Sequence, residues 1–415
     1  VAGNIANVTD ITAAFSGTIT DTLANLASGG SITTNFSRAR GDDTDVKVVV
    51  SDGTGTLDAA DLAAITAKTS GTVTLQNAQT VSGTGDEVTA ALITNPLTLS
   101  AASNATVTGN VTAEVAGNIA NVTDITAAFS GTITDTLANL ASGGSITTNF
   151  SRARGDDTDV KVVVSDGTGT LSAADLKAVT AKTTGTVTLQ NAQTVSGSGS
   201  DLVAALKTDP VTLSAASTAT ITSAVTAAVA AEIAAITDIT LDSSGDGTIT
   251  DTLENLLNDG ETAISTAFSN ARAEDTDVNV IISDGTGTID AAKLSLITAK
   301  TTGTVTLQNA QTIQGTGDEV TAALITDAVT PASGSSATVT GNVTAQVAGN
   351  IANVTDITAA FSGTITDTLA NLASGGSITT NFSRARGDDT DVKVVVSDGT
   401  GTLDAADLAA ITAKT

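Results

Sequence analysis

The sequence repeats itself almost without variation. Residues 1–69 recur unchanged at 347–415, and the first 57 of them recur unchanged at 115–171. A diverged copy begins at Val229 with VAAEIAAITDIT. Copies therefore start at Val1, Val115, Val229 and Val347, at steps of 114, 114 and 118 residues. Repetition of this kind indicates a repeat architecture in which each unit packs on its neighbours.

The repeat boundaries predict the organisation of the chain. We expect one repeat unit at 1–114, a second at 115–228, a diverged third at 229–346, and a partial unit at 347–415 that opens the next 346-residue period. No Pro-rich or Gly/Ser-rich linker separates the units, which disfavours a string of separate domains. The chain has no initiator Met, no signal peptide and no apolar run of membrane-spanning length. We interpret it as a window on a longer array.

A finer alternation of strand-like and helix-like runs lies inside each unit. The strand-like runs have alternating or short apolar character and many β-branched residues; they are ITAAF (11–15), VKVVV (46–50), VTLQNA (73–78) and LTLSAA (97–102). The helix-like runs place apolar residues on one face; they are DTLANLA (21–27), DAADLAAITA (58–67), DEVTAALI (86–93) and NVTAEVAGNIA (110–120). Asp21, Asp58 and Asp86 stand at helix starts, where a carboxylate can cap free N–H groups.

A strand, a turn and a short helix in about 25 residues cannot bury an apolar face alone, whereas stacked coils can. We therefore predict an α/β solenoid with one parallel β-strand and one short helix per coil, and four coils per 114-residue unit. Its strands would form one parallel sheet and its helices would line the opposite side. An all-β helix and tandem separate domains are the alternatives.

The amino-acid composition excludes several classes of catalytic and metal site. Among 415 residues there is no His, Cys, Met, Trp or Tyr, so Ser-His and Cys-His nucleophiles, disulfides and the usual zinc sites are excluded. We predict that the chain is not an enzyme. The net charge is −27, from 44 acidic and 17 basic residues. That charge disfavours nucleic acid and anionic membranes as partners, and it favours solubility and divalent cations.

One coil per unit carries an insertion at residues 28–45, SGGSITTNFSRARGDDTD. It contains Arg40-Gly41-Asp42, the tripeptide that integrins read, but the diverged copy replaces it in NARAEDTD (270–277). Insertion loops lie on the surface and often carry function. We predict that Arg38 and Arg40 pair with Asp42, Asp43 and Asp45 or with acids on a neighbouring coil or chain. The alternative is a contact between filaments or subunits. The predicted interaction-loop residues are Arg38, Arg40, Asp42, Asp43, Asp45, Arg152, Arg154, Asp156, Arg384, Arg386 and Asp388.

Two stretches resemble calcium loops in part, and Ca²⁺ is the only cofactor that we predict. In LDSSGDGTITDTLENL (241–256) the candidate ligands are Asp242, Ser244, Asp246 and Thr248, but position 12 of the EF-hand pattern is Leu253. In SDGTGTLDAADL (51–62) the candidates include Asp52, Asp58 and Asp61, and Val50 holds the first position. The competing interpretation is that Gly supplies a turn and Asp caps the helix that follows.

The stretch GTLDAADLAAITAKTSGTVTLQNAQTVSGTGDEVTAALI (55–93) resembles the repeats of very large cyanobacterial cell-surface proteins. GTLSAADLKAVTAKTTGTVTL (169–189) and GTIDAAKLSLITAKTTGTVTL (287–307) are similar to the same pattern. The resemblance implies an exported structural protein at the cell surface, in some cases linked to swimming without flagella or to adhesion. It implies no catalytic residues.

We therefore predict a segment of a long exported repetitive protein that forms an extracellular rod, filament or cell-surface layer. Its partners would be the continuation of the same chain and lateral or end-to-end copies of it. The alternative is a calcium-dependent cell-surface adhesin that binds through the insertion loops. A secreted enzyme with its catalytic domain outside this window is a third possibility.

Overall fold

The computed structural model describes residues 1–95, 97–209, 211–242, 247–327 and 329–415. They form two compact units, one of residues 1–195 with 204–217 and one of residues 196–203 with 218–415. None of the helices in this described part of the chain has the length and apolarity that a bilayer crossing needs.

The first unit alternates short strands with short helices. Its helices are Ala2–Ile5, Leu23–Leu26, Thr34–Asp42, Ala59–Thr66, Gly85–Thr89, Ala113–Ala120, Leu137–Leu140, Thr148–Asp156 and Ala173–Thr180, with π-helical turns at Ala90–Thr94 and Ala204–Thr208. Three parallel sheets accompany them. The first contains Thr18–Asp21, Lys47–Val50, Val73–Leu75 and Leu97–Thr98; the second contains Thr56–Asp58, Thr80–Thr84, Ser103–Thr108 and Ile125–Phe129; the third contains Thr132–Asp135, Lys161–Val164, Val187–Leu189 and Val211–Thr212.

The second unit repeats this arrangement. Its helices are Gly199–Val203, Ala227–Ala234, Leu253–Leu256, Thr266–Glu274, Ala291–Thr298, Gly317–Thr321, Ala345–Ile351, Leu369–Leu372, Thr380–Asp388 and Ala405–Thr412, with a π-helical turn at Ala322–Thr326. One sheet contains Ala224–Val225, Thr248–Asp251, Asn279–Ile282, Val305–Leu307 and Val329–Thr330; another contains Gly287–Asp290, Gln311–Thr316, Ser335–Thr340 and Ile357–Phe361; Thr364–Asp367 pairs with Lys393–Val396. The remaining longer strands are Thr170–Ser172, Thr194–Gly197, Ser217–Ile221 and Ile239–Asp242.

The strand register follows the winding of the chain. In the first sheet Val48 pairs with Val73, and Val73 pairs with Leu97, always in parallel. In the second sheet Leu57 pairs with Val81 in the same way. Neighbouring strands therefore come from consecutive coils, with a helix between them. This is the connectivity of a repeat solenoid, as the sequence predicted.

The prediction of one sheet was wrong. Most coils carry two strands, and the second one lies directly before the helix, as Thr56–Asp58 precedes Ala59–Thr66. The outward positions of Thr56–Asp58 are Thr56 and Asp58, residues typical of turns, so the pattern concealed a strand. The run ITAAF belongs to this second sheet in its second copy, where Ile125 pairs with Ser103. Residues 11–15 of the first copy form no strand.

The helices begin largely where side chains cap them. Asp58 is the N-cap of Ala59–Thr66, and its carboxylate accepts a hydrogen bond from Asp61 N at 3.1 Å. Asp21 and Asp86 are not caps, contrary to expectation, because Thr22 and Thr84 occupy those positions. Thr84 instead forms a capping box with Glu87.

The core is a thin stack of aliphatic side chains that point inward from the sheets and helices. Val48, Val81, Leu62 and Ile65 are each fully buried. Burial of one such side chain stabilises the fold by about 1.5–3 kcal/mol. Because each coil contributes only a few of them, every coil depends on its neighbours for stability.

Most of residues 28–45 is regular structure rather than a loop. Ala27–Ser28 and Ser31–Ile32 pair as an antiparallel hairpin, followed by the helix Thr34–Asp42. The hairpin turn consists of Gly29 and Gly30 with φ of 61° and 72°. Two consecutive positive φ values are typical of a type I′ turn, which favours glycine at both positions. We call Thr34–Asp42 and its equivalents Thr148–Asp156, Thr266–Glu274 and Thr380–Asp388 the insertion helices.

Each insertion helix packs on the helix one coil earlier, as Thr148–Asp156 packs on Ala113–Ala120, and in the exact copies a glycine lies at the crossing. A Cβ on Gly117 would lie 2.5 Å from Asn149 Cα and 2.7 Å from Asn149 Cβ. The diverged copy has Ala231 and Ala267 at the equivalent positions, so both partners differ together. The close approach thus depends on the pair of residues at this crossing.

We expect Gly117→Ala to lower the free energy of unfolding by about 1–3 kcal/mol, because the added methyl overpacks the crossing. Urea denaturation measures the loss. Truncating Asn149 to Ala should not recover it, because the atoms in the way are the Cα, Cβ and carbonyl oxygen of residue 149, which alanine keeps. The matched control is Gly155→Ala on the insertion helix, where a Cβ would meet nothing within 4 Å. That variant should gain about 0.5–1 kcal/mol. A Gly117→Ala variant as stable as the Gly155→Ala control would contradict the close packing at this crossing.

Candidate interaction site

The Arg-Gly-Asp tripeptide lies at the end of an insertion helix. Thr33 caps the helix by accepting a hydrogen bond from Phe36 N, and Phe36 is buried beneath it. Arg40, Gly41 and Asp42 form the last residues of the helix Thr34–Asp42. The prediction of an interaction loop was therefore wrong about local structure. The Phe36 anchor and the Thr33 cap were the sequence signals for a helix.

The two aspartates that follow the arginine bond to the backbone of a strand. Asp156 accepts a hydrogen bond from Ala127 N at 2.8 Å, and Asp157 accepts one from Phe129 N at 2.7 Å. The other exact copies repeat both bonds, from Ala13 N and Phe15 N to Asp42 and Asp43, and from Ala359 N and Phe361 N to Asp388 and Asp389. Because Ile125–Phe129 is the last strand of its sheet, these carboxylates satisfy the N–H groups of an open sheet edge.

The arginine of the tripeptide bonds to a backbone carbonyl. Arg40 Nε donates to Lys68 O at 2.6 Å, and Arg154 and Arg386 make the same bond to Lys182 O and Lys414 O. Among the described residues, no ion pair joins Arg38 or Arg40 to Asp42, Asp43 or Asp45, so the predicted internal pairing was wrong. The diverged copy keeps the bond, from Arg272 to Lys300 O, although it lacks Gly-Asp.

The turn that receives the arginine contains the Lys-Thr-Ser/Thr-Gly signature of the repeats. Thr69 Oγ1 donates to Val46 O at 2.6 Å and accepts from Gly71 N at 3.0 Å. A Cβ on Gly71 would lie 2.3 Å from Asp45 O, so only glycine fits this approach. The signature therefore builds the corner between a helix and the next strand, with Lys68 at its exposed side.

The acidic residues at this corner have opposite pKa shifts in identical copies. The hydrogen bond from Phe15 N is the main cause that lowers the pKa of Asp43, which lies in the exposed first coil. Burial is the main cause that raises the pKa of Asp157, the equivalent residue of the second copy. A hydrogen bond with the Asp43 carboxylate raises the pKa of Asp45. The hydrogen bond to the next aspartate also acts in opposite directions, because the bond with Asp45 lowers the pKa of Asp43 and the bond with Asp159 raises the pKa of Asp157.

A second set of aspartates ends the TITD strands; the sequence analysis named only its first member, Asp21, and as a helix cap. Asp135 is buried, and its carboxylate accepts hydrogen bonds from Ala113 N, Thr136 N and Asn139 Nδ2 at 2.7–2.9 Å. Asp251 and Asp367 make the equivalent three bonds. This aspartate joins a strand, the helix after it and the start of the preceding helix. In the sequence, the only indication of this arrangement was the spacing of four residues between Asp135 and Asn139.

We expect stability to fall in acid partly through Asp367. Burial opposes ionisation of its carboxyl, but hydrogen bonds from Asn371, Thr368 and Ala345 hold its pKa below the ordinary value. A lowered folded-state pKa contributes stability above the unfolded pKa of about 3.9, and the contribution is lost as the pH falls below about 4. Urea midpoints between pH 6 and pH 2 should show a steeper fall for the parent than for Asp367→Asn. Parallel curves would contradict this.

The three candidate calcium ligands of residues 51–62 bond to the backbone. Asp52 accepts from Leu23 N at 2.7 Å, and Asp61 accepts from Gly30 N at 2.7 Å. Only Asp58 caps the helix that follows, as the turn-and-cap interpretation has it. Within the described ranges, no group of three or more acidic residues is placed to hold a metal ion.

The other candidate calcium loop is described only in part. Ser244 and Asp246 lie outside the described residues, and Asp242 is described only as the end of the strand Ile239–Asp242. Thr248 begins the strand Thr248–Asp251. Calcium binding stays a prediction, which melting temperatures measured in Ca²⁺ and in chelator would test.

Comparison with known proteins yields no family. No family model matches the sequence, and no curated protein matches it. Among solved structures, the PEPR1–AtPEP1 complex is 9% identical, with a TM-score of 0.20, over 86% of this chain and 42% of that chain. The leucine-rich-repeat ectodomain of GASSHO1/SCHENGEN3 from Arabidopsis thaliana, in complex with CASPARIAN STRIP INTEGRITY FACTOR 2, is 12% identical, with a TM-score of 0.19, over 89% and 43%.

The Arabidopsis receptor kinase HAESA ectodomain, in complex with an extended IDA peptide hormone, is 10% identical, with a TM-score of 0.20, over 85% of this chain and 65% of that chain. The chain thus spans less than two thirds of the length of each of these structures. Similarity at this level supports no statement about what the present chain binds.

Proposed function

We propose that this chain is a segment of a long exported structural protein that builds an extracellular filament or cell-surface layer by repetition. We further propose that its coils contain about 25 residues and that four of them make one 114-residue unit. The observation that carries the proposal is the register of near-identical copies. Val48 and Val162 hold equivalent places in the first and second copies, and each packs into a sheet with the coils that follow it.

Repetition of this kind supports a role that depends on length. An enzyme needs one well-formed site, whereas a structural protein gains from many equivalent coils. The side chains at the candidate site support the same role, since Asp156 and Asp157 bond to a strand edge and Asp135 joins a strand to two helices. The adhesin hypothesis gains no support from this geometry, because the Asp42 carboxylate accepts a backbone hydrogen bond from Ala13.

Surface labelling tests the proposal directly. Antibodies raised against the 415-residue chain should label intact source cells without permeabilisation, and they should follow filaments or a continuous layer in electron micrographs. An antibody against a cytoplasmic protein of the same cells provides the control for intactness. Labelling that requires permeabilisation would refute the exported role.

A further inference from the structure

Most of the positive charge of the chain lies on two segments of each copy, the insertion helix and the corner that its arginine contacts. The insertion helix contributes Arg38 and Arg40, and the corner that follows the next helix contributes Lys68. We call these residues and their equivalents the basic patches; the equivalents are Arg152, Arg154 and Lys182, then Arg272 and Lys300, then Arg384, Arg386 and Lys414. Together they hold most of the 17 basic residues of the chain, whose net charge is −27.

The arginine in each patch is held in a fixed position. Because Arg40 Nε is bonded to Lys68 O, the guanidinium lies against the corner, and its two terminal NH₂ groups remain as donors. An arginine held in this way loses less conformational freedom when it binds a carboxylate. Lys68, whose carbonyl accepts this bond, is exposed, and so is Arg38 on the same insertion helix.

The basic patch does not depend on the Arg-Gly-Asp tripeptide, as a comparison of the copies shows. The diverged copy has lost Gly-Asp and has Asn270 in place of the first arginine, yet it keeps Arg272 bonded to Lys300 O. Helix C-termini favour cations through the helix dipole, which accounts for one lysine per corner. The helix dipole does not explain why an arginine from the insertion helix also bonds to this corner.

The complementary charge is present on the same chain. Helix starts of successive coils stack: a Cβ on Gly83 would meet Ala59 Cβ at 2.7 Å, and a Cβ on Gly85 would meet Val111 Cγ1 at 2.3 Å. This stacking brings Asp86 and Glu114, both exposed in the first turns of their helices, to one side of the first unit. Asp318 lies at the equivalent place in the second unit.

We propose that the basic patches dock a second copy of this chain through its helix-start carboxylates, so that copies associate side by side. The contact deepens the proposed structural function by naming the partner that would assemble a filament or layer. A basic patch that meets a different surface on its partner makes a heterologous contact, which continues from copy to copy instead of closing as a dimer. Because the charges are exposed, the contact weakens as salt screens them.

Sedimentation velocity of the full chain tests the proposal. Association should appear at about 50 mM salt and weaken at least about tenfold at 500 mM. A variant with Lys68→Glu, Lys182→Glu, Lys300→Glu and Lys414→Glu should stay monomeric at both salt concentrations. Its control carries Lys161→Glu, Lys177→Glu, Lys207→Glu and Lys293→Glu, which change the net charge equally but lie outside the patches, and it should associate as the parent does.

A charge exchange identifies the partner surface. The variant with Asp86→Lys, Glu114→Lys and Asp318→Lys should also be monomeric alone, and an equimolar mixture with the Lys-to-Glu patch variant should associate again. Circular dichroism confirms that each variant is folded. A mixture that stays monomeric, or a patch variant that associates like its control, would overturn the proposal. So would a parent chain that associates only when alginate is added, which would indicate a polyanion as the partner.

The sedimentation experiments and the surface-labelling experiment can fail independently of each other. If antibodies label intact cells but the chain never self-associates, only the proposal of a lateral contact is refuted. If the chain associates but is found inside cells, only the proposal of an exported role is refuted.

Discussion

Replacing Phe150 with Ala should lower the free energy of unfolding by about 3–5 kcal/mol, the largest loss that we expect from one side chain. Phe150 is fully buried and belongs to the insertion helix Thr148–Asp156, which packs on the helix Ala113–Ala120. The chain has only seven Phe and no Trp or Tyr, so no other aromatic residue of similar size can fill the space. Urea denaturation measures the loss, and exposed Ser151→Ala serves as the control, within about 0.5 kcal/mol of the parent.

The same variant should have a local effect on the sheet edge. Asp156 and Asp157 end the helix that Phe150 anchors, and they hold Ala127 N–H and Phe129 N–H. Loss of the anchor should therefore speed hydrogen exchange of these two amides more than that of Val162, which lies inside the third sheet. Equal exchange of all three amides in parent and variant would contradict the role assigned to the insertion helix.

Replacing Asp135 with Ala should cost about 2–4 kcal/mol, because three hydrogen bonds to a carboxylate are lost and Ala113 N–H is left buried without an acceptor. The matched control is Glu114→Gln, a neighbouring acid whose equivalent in the last copy is already Gln346. That change should alter stability by less than about 0.5 kcal/mol. If the two variants unfolded at the same urea concentration, Asp135 would have no special role at the strand end.

Repetition made the architecture predictable, because identical segments must find equivalent environments. The helix-like runs also predicted real helices, and Asp58 caps one of them as expected. The second strand of each coil was not predictable from periodicity. Strands such as Thr80–Thr84 have Thr and Ser on their outward side and Gly83 on the inward side, and such residues indicate a turn as readily as a solvated strand.

The candidate site was predictable in location but not in role. The sequence singled out Arg40, Asp42 and Asp43 because charge is rare in the surrounding pattern. Their partners, Lys68 O and the N–H groups of residues 13 and 15, lie about 28 positions away and are backbone atoms. Backbone partners leave no trace in residue identity, so only the winding of the coils could reveal them. Asp135 was missed for the same reason.

The most direct test of the solenoid is the length that one period adds. Electron micrographs of the chain, and of a chain lengthened by a second 346-residue period inserted after residue 346, give the difference in particle length. Coils of about 25 residues, four to a 114-residue unit, stacked at the parallel-strand spacing of about 4.8 Å, predict an added length of roughly 57 Å. Three separate compact domains of this size would add roughly 100 Å. A value near 57 Å would confirm a continuous stack of coils, and a value near 100 Å would contradict it.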